Sequence, residues 1–108
     1  MKHRKQKKIK TGFIPEDYFG AVYLIFNSLS SQYKIGITSV SPNKRKSAIE
    51  TQSGMRLDLV DWWEMDTFAP TAEAMLHTYF EKYRTIGEWF AFPEVVREEE
   101  IRSKIERL

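Results

Sequence analysis

Gly20-Ala-Val-Tyr-Leu-Ile-Phe-Asn27, Ser28-Leu-Ser-Ser31 and Gln32-Tyr-Lys-Ile-Gly-Ile-Thr38 are the stretch that decides the fold of this chain. Two runs rich in β-branched and aromatic residues flank a short serine-rich turn, the pattern of a β-hairpin. Side chains alternate along a strand, so Val22, Leu24 and Phe26 share one face and Tyr23 and Ile25 the other.

Downstream, Ser41-Pro42 opens a helix, with serine as N-cap and proline at the first helical position. The helix is expected to run to about Thr51, before Ser53-Gly54. Ala48 and Ile49 give it a thin apolar face. Lys44, Arg45 and Lys46 make its first turns basic, against the preference of the helix dipole, which points to an anion there. Met55 to Thr67 reads as a long strand with Trp62 and Trp63 on opposite faces. Pro70 starts a second helix to about Arg84, in which Leu76, Tyr79, Phe80 and Tyr83 recur at helical spacing. Thr85-Ile-Gly87 ends it. Glu88 to Phe92 is a short final strand, and Pro93 opens a last, charged helix with Val95, Val96, Ile101, Ile105 and Leu108 as its apolar stripe. The Glu98-Glu99-Glu100 run reads as a solvated face of that helix. The expected order is β-β-α-β-α-β-α in one α/β (α+β) domain over residues 13–108, without internal repeats.

At 108 residues the chain fits one domain with its own core. The first ten residues hold six of the 17 basic residues and no acid, which leaves 11 basic against 15 acidic residues in the remainder. Residues 1–12 therefore read as a flexible basic arm suited to a polyanion, nucleic acid before a membrane surface. Phe13, Ile14, Tyr18 and Phe19 form a lead-in that docks on the body. Absence of cysteine excludes a disulfide framework, cysteine-ligated zinc and thiol catalysis. The longest apolar run, Ala21 to Phe26, is too short to span a bilayer, and no signal-peptide core follows the basic N-terminus. The expected location is the cytoplasm, or the host cytoplasm for a phage product.

No Walker loop, dinucleotide-binding glycine pattern or zinc-protease helix is present. What the chain does carry is a set of groups suited to phosphodiester hydrolysis: Tyr23 and Lys34 on the hairpin, Arg45 on the basic helix, and Glu73 and His77 four residues apart on one helix face. A carboxylate can hold a divalent cation; the cation and an arginine offset charge building on the phosphorane; tyrosine or lysine can manage the proton of water. Each residue also has a plain structural reading. Tyr23 can pack across strands, Lys34 can be a solvated edge charge and Arg45 can pair with Glu50. Glu73 suits the first turn of a helix, and His77 can bond within the domain. Trp62, Trp63 and Trp89 read as core before base-stacking platforms.

Together these residues resemble the GIY-YIG endonuclease superfamily, and more closely its phage and fungal "meiotically up-regulated" branch. The first motif stands as Ala21-Val22-Tyr23 and the second as Lys34-Ile35-Gly36, with ten residues between them. Arg45 falls nine residues beyond Gly36 in a Ser-Pro-x-x-Arg helix opening. Glu73-Ala-Met-Leu-His77 resembles the Glu-x-x-Leu-His helix, and Gly87-Glu-Trp-Phe90 the closing strand. The resemblance covers Gly20 to Phe92.

It implies a central three-stranded antiparallel sheet flanked by helices. It implies that Tyr23, Lys34, Arg45 and Glu73 surround one scissile phosphate, with Glu73 holding Mg²⁺ or Mn²⁺ and His77 a further catalytic candidate. Ala21 replaces the first glycine and Lys34 the tyrosine of the second motif, so that either Lys34 or Tyr23 is the candidate base. The late asparagine of many members is missing, and Glu88 stands nearest its place. The expected function is a metal-dependent DNA endonuclease of phage or mobile-element type, with Lys5, Lys7, Lys8, Lys10, Lys44 and Lys46 on the nucleic acid. A domain this small has little surface left for sequence reading, so specificity is expected from a homodimer or a protein partner. The alternatives are a non-cleaving nucleic-acid-binding module and a phage protein acting on a host factor through its C-terminal helix.

Overall fold

The structure is a computed structural model, and it describes residues 20–108. The basic arm, with Lys5, Lys7, Lys8 and Lys10, and the lead-in lie outside the described residues.

The hairpin forms as expected: β1 (Ala21–Asn27) pairs antiparallel with β2 (Gln32–Thr38) in full register, Tyr23 opposite Gly36 and Ile25 opposite Lys34. A helix α1 (Pro42–Ser53) leads to β3 (Asp58–Glu64). A 3₁₀ turn at Asp66–Phe68 precedes α2 (Ala69–Tyr79), and a second at Glu81–Tyr83 follows it. β4 (Trp89–Phe90) and α3 (Glu98–Glu106) complete the described chain.

The sheet has four antiparallel strands in the order β3-β1-β2-β4, not the three expected. The fourth is short: β4 meets β2 at Tyr33 and Lys34, and Phe90 also bridges to Arg84. It joins because Thr85 and Ala91 donate to Trp89 and Tyr83 across the turn before it, which folds the strand back onto the β2 edge. The two 3₁₀ turns also depart from the expected element order.

β1 is central, and every residue from Ala21 to Ile25 is buried. Its alternation feeds two cores, as the pattern of the hairpin implies. Val22 and Leu24 pack with Ile35, Trp63, Leu76, Phe90, Ile101 and Ile105. Tyr23 and Ile25 pack on the other face with Ile49, Leu57 and Trp62. The register of β1 on β3 slips between Leu24 and Ile25, leaving one extra residue, Val60, on β3.

Helix boundaries differ from those expected where tertiary contacts overrule local spacing. α2 stops at Tyr79 rather than Arg84 because buried Phe80 turns to meet Phe92, edge to face at 5.0 Å, with Tyr83 on the same ring at 5.2 Å. α3 starts at Glu98 rather than Pro93. Its first turn holds three glutamates, which the helix dipole favours, and the Glu100 carboxylate accepts the Arg97 N–H at 3.2 Å. Glu99 and Glu100 lie exposed on the expected solvated face, and Glu98, its side chain 42% exposed, also accepts from Tyr33 Oη at 3.0 Å and from Arg102 at 3.4 Å. Arg102 also pairs with buried Asp61, which clamps α3 to the sheet. Val95, expected in the apolar stripe, is 78% exposed.

Candidate functional site

The site grows from one glycine. Gly36 faces Tyr23 across the hairpin, and the Tyr23 ring lies over it. A Cβ at Gly36 would fall 2.6 Å from Tyr23 Cζ, closer still to the phenol oxygen, and 2.8 Å from Glu88 Oε1. A side chain here is incompatible with the site, which brings a phenol and a carboxylate together above the strand.

Arg45 reaches the same phenol. It lies in the first turns of α1, behind the Ser41 N-cap and buried Pro42, and its guanidinium donates to the Tyr23 oxygen. The Ser41 hydroxyl makes no capping bond. Glu50 is held by Lys46 at 3.3 Å and by the Leu57 N–H at 2.8 Å, so it is Lys46 that pairs with it. Burial raises the Tyr23 pKa, and the hydrogen bond from Arg45 opposes without cancelling it. At neutral pH Tyr23 is therefore a neutral phenol.

Lys34 lies on the same side of the sheet, because it is two residues from Gly36 on β2. Its Nζ is 2.8 Å from Glu88 Oε1 and 5.7 Å from the centre of the Trp89 ring. Burial alone would raise Glu88, but the hydrogen bond and charge of Lys34 hold its carboxyl below the usual range.

Glu73 comes from α2 and meets the Glu88 carboxyl. Its Oε2 is buried with no hydrogen-bond partner. Burial, then the hydrogen bond and charge of Glu88, push Glu73 up to about 7, with Lys34 and Arg84 pulling the other way. Two carboxyl groups in contact cannot both be anions cheaply, so Glu73 keeps its proton to a higher pH than a free carboxyl does.

His77, one turn further along α2, is tied elsewhere. Its Nε2 donates to the Ile35 carbonyl at 2.8 Å, and its ring lies 5.2 Å from Phe90. Ile35 N–H bonds the Glu88 carbonyl, so His77 takes up the next backbone group of β2 just where β4 ends. With that nitrogen committed, His77 anchors α2 to the sheet and so positions Glu73.

The structure therefore draws Tyr23, Lys34, Arg45 and Glu73 around Glu88, with His77 beside them. Lys44 is exposed on α1, outside this cluster. The sequence pointed to Glu88 only through a missing asparagine, yet it touches Lys34 and Glu73 and lies over Gly36. Arg84 drew no functional reading from sequence and Trp89 was read as core before a stacking platform, because their relation to Glu73 and Lys34 depends on how the chain folds back before β4.

Among the described residues, no group of three or more histidines or acids is placed to hold a metal ion. Two carboxylates with an orphaned buried oxygen still fit a hard cation such as Mg²⁺, which takes one or two carboxylates and keeps its waters. A concavity of about 720 Å³ between α2 and α3, lined by Tyr79, Phe80 and Lys104 among others, contains none of the residues of the cluster. No described helix is long and apolar enough to cross a membrane.

No curated protein and no solved structure matches the chain. Residues 20–108, the whole of the hairpin, the helices and the cluster, match the family described as the T5orf172 domain. The chain belongs to the T5orf172 domain family.

Proposed function

We propose that this chain is a divalent-metal-dependent endonuclease of the GIY-YIG type that hydrolyses DNA phosphodiester bonds. One observation carries the reading: Tyr23, Lys34, Arg45 and Glu73 come from four separate elements and meet around Glu88. Core packing alone gives no reason to collect two acids, two bases and a phenol at one place. Family membership supports it, since T5orf172 domains occur in phage proteins and in proteins associated with endonucleases.

Glu73 would hold Mg²⁺ or Mn²⁺, and the bound cation would supply Lewis-acid stabilisation of charge on the phosphate oxygens. Arg45 bonds Tyr23 with one donor and has others for phosphate oxygens. The same bond fixes the guanidinium before substrate arrives. Tyr23, held as a phenol, accepts from Arg45 and orients it rather than acting as a base. Lys34 brings positive charge on the same side of the sheet. His77 keeps α2 in place against β2. Outside the cluster, exposed Lys44 and the basic arm would bind phosphates along the duplex, which makes affinity salt-dependent.

The test is plasmid nicking with Mg²⁺ or Mn²⁺ by the full chain and by Glu73→Ala purified identically. The reading expects nicking that needs the metal and disappears in the variant. Equal nicking by both proteins would refute the role of Glu73. DNA retention at low salt without nicking by either would favour a non-cleaving nucleic-acid module.

A further inference from the structure

Glu73 and Glu88 stand on different elements, yet their carboxyl groups are in contact. Such a pair needs positive charge between or beside it. In the metal-free chain the Lys34 ammonium, 2.8 Å from Glu88 Oε1, supplies it. That ammonium makes no bond to Glu73 Oε2, which is buried and has no hydrogen-bond partner. The place is prepared for Glu88 in particular, because its carboxylate lies above Gly36 where any Cβ would come within 2.8 Å of it. Lys34 is equally placed: its side chain is only 12% exposed and runs beside the Trp89 ring.

We propose, resting on the reading of Glu73 as a cation ligand, that Glu73 and Glu88 together form the cation site, with Glu88 its second carboxylate ligand, and that Lys34 is the counter-ion the cation displaces from Glu88. A hard divalent cation prefers carboxylate oxygens and fills its remaining positions with water, so two carboxylates suffice. It binds the orphaned Oε2 of Glu73 and supplies the positive charge that the carboxyl pair needs. Once Glu88 is neutralised by the cation, the nearby ammonium is repelled and loses its partner. Lys34 then carries an unpaired charge beside the site at the moment a phosphate needs one. This also gives a reason for a lysine in the second motif: in the metal-free chain it holds Glu88 in position against Glu73, which a neutral side chain would do less well.

The test is Mn²⁺ binding to the full chain without DNA, followed by the electron paramagnetic resonance signal of free Mn²⁺. The proteins compared are the unmodified chain, Glu73→Gln, Glu88→Gln, Lys34→Met and the Lys34→Met/Glu88→Gln double variant. Glu88→Gln retains the shape of the side chain and the backbone bond from Ile35, so the fold is not at stake. Circular dichroism checks each variant, and Lys34→Gln replaces Lys34→Met if the latter unfolds.

The expected result is that Glu73→Gln and Glu88→Gln each weaken Mn²⁺ binding at least about tenfold. Lys34→Met tightens it about three- to fivefold, the scale of one ion pair removed from competition. The gain vanishes in the double variant, because no carboxylate remains for Lys34 to occupy. Binding lost in Glu73→Gln but unchanged in Glu88→Gln and Lys34→Met would overturn this inference and leave the Glu73 reading intact. No Mn²⁺ binding by the unmodified chain would overturn both.

Discussion

Replacing Gly36 by alanine probes the geometry of the site with a single methyl group. The added Cβ would meet Tyr23 Cζ at 2.6 Å and Glu88 Oε1 at 2.8 Å, well inside van der Waals distance. Glu88 stands at the end of a flexible, partly exposed side chain and can move aside. Tyr23 cannot: it is 1% exposed and packed among Ile25, Ile49, Leu57 and Trp62. The strain therefore falls on the Tyr23 ring or on the β1–β2 pairing. Overpacking of this kind costs about 1–3 kcal/mol. The stiffer backbone of alanine returns about 0.5–1 kcal/mol. A net loss of about 1–2 kcal/mol is expected, read as a fall of about 1 M in the urea midpoint by tryptophan fluorescence. Tyr23→Phe in the same chain should recover only part of it, because Cζ remains in the way. An unchanged midpoint for Gly36→Ala would refute the placing of Tyr23 over Gly36, and with it the origin of the site.

Three further outcomes rest on named side chains. Glu73 has a folded pKa above its unfolded value, so the folded state holds the proton more tightly. The metal-free protein should therefore lose stability as pH rises from about 5 to 7, and Glu73→Gln should remove that loss in pH-dependent urea titrations. Arg102→Met removes one ion pair from buried Asp61; because Arg102 is itself 27% exposed, the expected cost is about 2–3 kcal/mol, at or below the range for fully buried pairs, measured as a lowered urea midpoint. In DNA binding, Lys44→Ala should reduce the slope of log affinity against log salt by about 0.9 for each phosphate that Lys44 neutralises. Lys46→Ala should change it less, since Lys46 is already paired with Glu50.

The hairpin was legible because its signals are local: alternating apolar residues and a serine turn. The site residues were legible as motifs, each on its own element, and their spacing survives in the structure as a gathering around Glu88. Their partners were not legible. Arg45 could pair with Glu50 nearby in sequence, yet it bonds Tyr23, and Glu50 goes to Lys46, which stands four residues before it on the same helix face. The strand Trp89–Phe90 was visible as a run of aromatics, but its place as a fourth strand depends on the turn through Gly87. The ends of the second and third helices were set by Phe80, Phe92 and the clamp of Arg102 on Asp61, interactions between residues far apart in sequence. Glu88 escaped emphasis for the same reason: its importance lies in what Lys34, Gly36 and Glu73 do around it.

Arg45 and Lys44 are neighbours of equal charge on one helix, one bonded to Tyr23 and the other exposed. The most direct test is metal-dependent plasmid nicking at low salt by the full chain, Arg45→Ala and Lys44→Ala. Nicking should be lost with Arg45→Ala and kept with Lys44→Ala, because the proposed site has Arg45, and not Lys44, at the scissile phosphate. Equal loss in both variants, or nicking that survives in Arg45→Ala, would contradict it.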